Sequence, residues 1–112
     1  MNAERLSSSD PGYALIRETI DGAEIVHIFG ELDLRAAPEL ETLLETMAIG
    51  GDSVVLDFNA CNYFDSSIIA VVIRTLKRLG ERFTIVIPEG HPTRRILKIC
   101  NLERILPIAP SL

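Results

Sequence analysis

Between Gly50-Gly51-Asp52-Ser53 and Asp57 stands Val54-Val55-Leu56, three apolar residues in a row. A run that short is a strand, and one without polar alternation is covered on both faces, so it belongs inside a sheet. Phe83 to Ile87 has the same character. Between the two lies Ser66 to Leu79, where Ile68, Ile69, Val72, Ile73, Leu76 and Leu79 fall on one arc at ~100° per residue. Arg74, Lys77 and Arg78 fall on the other side. Two buried strands joined by an amphipathic helix make a parallel crossover unit, and this constrains the fold more than any other feature.

The pattern extends in both directions. Tyr13–Ile20 and Glu24–Phe29 are strand-like and are separated by Asp21-Gly22-Ala23, a hairpin signal. Ala36–Ile49 is helical, with Pro38 in its first turn and Gly50-Gly51 ending it. Pro92–Cys100 is a third helix, with Asn101 at its cap, and Ile105–Ile108 a last short strand. Residues 1–12 read as a disordered lead-in before the domain at 13–112. The order β-β-α-β-α-β-α-β means an α/β fold with a mixed, mainly parallel sheet of four or five strands. The 112 residues suffice for one domain, and no internal repeat or linker divides them. With 5% aromatics and no Trp, the core must be aliphatic.

Charge and composition narrow the function. Lys and Arg number 11 against 16 Asp and Glu, a net charge of −5, which argues against a nucleic-acid partner. No apolar run approaches the ~20 residues of a membrane span, and the first residues lack a signal-peptide core, so a soluble cytoplasmic protein without membrane insertion is expected. Cys61 and Cys100 have no ligand spacing and read as reduced, partly buried thiols. No cofactor and no metal site is expected.

Sites in such sheets lie beyond the carboxyl ends of strands. Two of those ends carry concentrated polar groups: Gly30-Glu31-Leu32-Asp33 and Asn62 to Ser67. The carboxylates of Glu31 and Asp33 are an acid/base or metal pair in principle; loop solvation or capping is the commoner role for such a pair. Asp65-Ser66-Ser67 opens a helix, so Asp65 or a serine is a capping residue. A serine there is also a site where free N–H groups and the helix dipole tolerate a phosphate. The two roles are compatible. A nucleophilic serine would need a base, and the only histidines are His27, within a strand, and His91, at a helix start. There is no G-x-S-x-G elbow or glycine-rich phosphate loop, so an enzyme is not expected.

In order and spacing, Ile28-Phe29-Gly30-Glu31-Leu32-Asp33, Ala36-Ala37-Pro38-Glu39-Leu40, Val54-Val55-Leu56-Asp57 and Asp65-Ser66-Ser67 resemble the STAS domain of the anti-sigma-factor antagonists. Arg94-Arg95-Ile96-Leu97 and Asn101 to Ile108 are also similar, so the resemblance covers residues 13 to 110. It implies a non-enzymatic binding protein with Ser66 as the phosphorylated serine and Ser67 as a secondary possibility. The dephosphorylated form would bind an anti-sigma factor with serine kinase activity and so free a sigma factor; a serine phosphatase would reset the cycle. Glu31, Asp33, Asp65, Ser66, Ser67 and Ile68 would meet the partner. Where the family has Gly-Leu-Gly after the serines, this chain has Ile68-Ile69-Ala70, which leaves the helix intact but bears on the partner. The alternatives are a STAS subunit of a stressosome-like or transporter-associated complex, and a small-ligand-binding domain.

Overall fold

The structure, a computed structural model, describes residues 2–5 and 12–112. Its elements are β1 (Asn2–Arg5), β2 (Tyr13–Ile20), β3 (Ala23–Leu32), α1 (Ala37–Ile49), β4 (Ser53–Phe64), α2 (Ser66–Leu79), a single 3₁₀ turn (Gly80–Arg82), β5 (Phe83–Val86), α3 (Pro92–Ile99) and β6 (Ile108–Ala109). They form a six-stranded sheet in which spatial order equals chain order. β1, β2 and β3 pair antiparallel, and β3 to β6 pair parallel. Each crossover helix therefore joins neighbouring strands and steps in one direction. Right-handed crossovers stepping one way place all their helices on one face.

Burial follows that geometry. On the helix-covered face Leu15, Val26, Ile28, Val54, Leu56, Phe83 and Ile85 join Leu40, Leu44, Ile68, Val72 and Leu97 in one core. The arc expected on α2 is observed with a small rotation. Ile68, Val71, Val72, Thr75 and Leu79 are buried, while Ile69, Ile73 and Leu76 pack at its margin. Thr75 is tolerated there because its hydroxyl donates to the Val71 carbonyl at 2.8 Å.

Several expectations need correction. Within the lead-in expected to be disordered, Asn2–Arg5 is a strand paired with Ile16–Thr19; residues 1 and 6–11 lie outside the described residues. This edge strand raises the count from four or five to six. Edge pairing uses backbone groups, so Asn-Ala-Glu-Arg needs no apolar alternation to join. β3 and β4 run past Phe29 and Leu56 to Leu32 and Phe64, and register shifts near Phe29 and Glu31 mark bulges. Bulges re-aim side chains, so the polar residues of these extensions follow no simple period of two. The last strand is Ile108–Ala109, not Ile105–Ile108. Ile105 and Leu106 instead close turns onto the Leu102 carbonyl at 3.0 Å each, which buries Leu106. Cys61 is buried as a free thiol, its pKa pushed up to about 11 by burial, but Cys100 is exposed.

The hairpin is as expected: Asp21 and Gly22 both have positive φ (43° and 78°), the two-residue turn that matches strand twist. Gly30 is positioned by a tighter constraint. Its φ is +88°, and a Cβ there would lie 2.4 Å from the Gly12 carbonyl oxygen. That same oxygen accepts from Glu31 N at 2.8 Å, tying the start of β2 to the end of β3.

Candidate functional site

The carboxyl ends of β3 and β4 form one corner. Leu32 and Phe64 are register partners, and Asp65 N donates to the Leu32 carbonyl at 3.3 Å. Asp33 and Asp65 therefore leave adjacent strands from the same rung, and strands in a ladder lie only ~4.8 Å apart. The chain departs from Asp33 into α1 and from Asp65 into α2.

Asp65 caps α2: its Oδ1 accepts from Ser67 N at 3.0 Å, and its carbonyl accepts from Ile68 N and Ile69 N. The Ser67 hydroxyl also donates to Asp65 Oδ1. Ser66 differs. It is exposed, and among the described residues its hydroxyl has no hydrogen-bond partner. The two serines, equivalent in sequence, are thus distinct in structure. Asp33 forms its own turn, with Oδ1 accepting from Arg35 N at 2.9 Å and both oxygens facing the Arg35 guanidinium. Those hydrogen bonds hold its carboxyl below the usual carboxylate range.

Glu31, exposed, is the register partner of Tyr63. Tyr63 (46% exposed) and Leu34 (70% exposed) are large apolar side chains left in water at this corner. Sequence reasoning missed both. Leu34 follows Asp33 in a loop, and Tyr63 lies beyond the β4 bulge, so neither falls in a periodic pattern. Ile68 is a correction in the other direction: expected to face a partner, it is fully buried (0% exposed). As the third residue of α2 it turns under the helix and packs on the sheet, so the residue replacing the family glycine is a core residue.

The histidines do not serve the corner. His91 caps α3, its Nδ1 accepting from Thr93 N at 3.2 Å while Nε2 donates to the Asn59 carbonyl at 3.1 Å. His27 lies on the sheet face without helices, between Asp57 (Nδ1, 2.7 Å) and Glu18 (Nε2, 2.8 Å). Burial works against its charged form, but the two carboxylates prevail and its pKa is raised. Among the described residues no group of three or more His, Cys, Asp or Glu is arranged to hold a metal. No helix among them is long and apolar enough to cross a membrane.

The family model for the STAS domain matches residues 14–112. The chain belongs to the STAS family. Its structure is similar to that of an anti-sigma factor antagonist from Mycobacterium paratuberculosis, with a TM-score of 0.79 and 27% identity over 96% of this chain and 92% of that one. It is also similar to the anti-sigma factor antagonist SpoIIAA in its unphosphorylated form (TM-score 0.67, 19% identity, 88% and 89% covered). The phosphorylated form of the Bacillus SpoIIAA gives a TM-score of 0.62 at 20% identity, with 85% and 90% covered. A search of curated protein sequences finds no match. The STAS fold expected from the sequence is therefore the fold observed.

Proposed function

We propose that this STAS domain is a cytoplasmic, non-enzymatic anti-sigma factor antagonist switched by phosphorylation of Ser66. Its unphosphorylated form binds an anti-sigma factor with serine kinase activity through Glu31, Asp33, Asp65, Ser66 and Ser67, joined by Leu34 and Tyr63. A serine phosphatase restores that form. The observation that carries the reading is the contrast between the two serines. Ser66 offers an exposed, unengaged hydroxyl at the mouth of a helix, while Ser67 is committed to the Asp65 cap. A kinase reaches the first without breaking a hydrogen bond. Likeness to anti-sigma factor antagonists over nearly the whole chain supports the choice of partner.

The energetics suit a switch that acts at an interface and not on the fold. Phosphorylation adds about −1.5 to −2 charges at pH 7. The α2 dipole offsets part of that, about 0.3–1 kcal/mol at an exposed site. A partner fitted to a neutral hydroxyl would have to desolvate a dianion beside Asp65 and Asp33, which costs several kcal/mol. A penalty of about 3–4 kcal/mol weakens binding by two to three orders of magnitude. Calorimetric titration of wild type, Ser66→Ala and Ser66→Asp against the cognate kinase tests this. Wild type and Ser66→Ala should bind alike and Ser66→Asp should not; equal affinities for all three would reduce the segment to a helix cap.

A further inference from the structure

The basic side chains are not spread evenly. Arg17, Arg35, Arg74, Arg78 and Arg94 each pair with a carboxylate, and Arg82 donates to the Ala48 and Asp52 carbonyls. Among residues 12–112 this leaves Lys77, Arg95, Lys98 and Arg104 without a partner. Three of these four gather at one place. Arg95, Lys98 and Ile99 share a face of α3 at helical spacing. Lys98, Arg104 and Ile105 border one surface depression with Asn101 and Glu103. Ile99 is 76% exposed and Ile105 64%. On a chain of net charge −5, three free cations around two bare isoleucines form a surface of opposite character to the rest.

The complement of that surface is on the same chain. The Ser66 corner presents Glu31, Asp33 and Asp65 around the exposed side chains of Leu34 and Tyr63, and although Arg35 pairs with Asp33 there, three carboxylates against one cation leave the corner net negative. The two surfaces lie at opposite ends. α3 starts beyond the carboxyl end of β5, anchored by His91 to the Asn59 carbonyl, and runs back toward the strand starts. One copy therefore cannot join its own two surfaces.

We propose that the chain self-associates head to tail, the acidic corner of one copy seating on the basic end of α3 in the next. Such a contact is heterologous and does not close on two copies, so it builds short chains whose length grows with concentration. It also covers Ser66. If the function proposed above holds, self-association and partner binding exclude each other, and phosphate affects them oppositely: added negative charge weakens partner binding and tightens this contact.

Sedimentation velocity of the full chain alone tests this without any partner, so its outcome is separate from the fate of the switch. At low salt the average mass of the wild type should rise with concentration. It should fall to that of a monomer near 1 M salt, where the Debye length is about 3 Å. Ser66→Asp should associate at least as strongly as wild type. Arg95→Glu/Lys98→Glu/Arg104→Glu should stay monomeric at every concentration, with Ile99→Ser/Ile105→Ser as an independent second variant and circular dichroism confirming that each is folded. A wild type that is monomeric throughout overturns the proposal, as does association that both variants retain or that Ser66→Asp loses. Monomeric protein that floats with phosphatidylserine vesicles overturns it in favour of a lipid surface.

Discussion

At Gly30 a side chain has nowhere to go, because a Cβ would meet the Gly12 carbonyl at 2.4 Å and the φ of +88° already disfavours any L-residue. Backbone would have to move, so Gly30→Ala should cost more than the 1 kcal/mol or so typical of a strained substitution, of order 2–3 kcal/mol. Chemical denaturation measures that loss, and a variant as stable as wild type would contradict it. His27 carries a pH signature. Its pKa is raised from 6.5 although burial opposes the charge, because the hydrogen bonds it donates to Glu18 and Asp57 outweigh that burial. A raised folded pKa means the charged histidine stabilises fully below the unfolded value near 6.5, and the contribution is lost as pH climbs through the folded value. The stability of wild type relative to His27→Gln should therefore decline from about pH 6.5 upward. Parallel pH curves for the two proteins would refute it.

Among the elements, α2 carries both core residues and the exposed Ser66 proposed as the switch, on different faces. Val72 is buried against the sheet, so Val72→Ala should cost about 1–4 kcal/mol by cavity formation. Leu76, at the margin of the core, should fall near the lower end. Urea midpoints that rank Leu76→Ala as the more severe would reverse the packing described here. What was legible in the sequence follows from the same physics. Helices and buried strands announce themselves because burial imposes a period, and the hairpin does so because its turn demands positive φ at Asp21 and Gly22. β1 was illegible because an edge strand is held by backbone bonds that any residue makes. The extension of β4 was illegible because bulges break the alternation. At the site, Asp65-Ser66-Ser67 was readable as the cap of α2. Which hydroxyl the cap consumes depends on a rotamer, not a residue type, and the burial of Ile68 depends on where the helix begins.

For the whole molecule, the separation of core from corner makes a combined prediction. Ser66 is exposed and its hydroxyl has no partner among the described residues, so replacing it should change stability by no more than about 0.5 kcal/mol. In a domain of this size 1 kcal/mol corresponds to roughly 4–8 °C in Tm, so Ser66→Ala and Ser66→Asp should melt within about 2–4 °C of wild type. Asp65→Ala is the contrasting case. It removes the α2 cap that Ser67 N and the Ser67 hydroxyl both use, at about 0.5–2 kcal/mol, and should lower Tm by several degrees more. Binding should sort the same variants differently. Ser66→Asp keeps the fold and loses the partner; Val72→Ala loses stability yet binds normally at temperatures where it is folded; Asp65→Ala loses some of both. Melting curves and titrations on the four variants and wild type decide the matter together. A Ser66→Asp variant that melts far below wild type would mean that its charge acts on the fold, and loss of binding could then no longer be assigned to the interface.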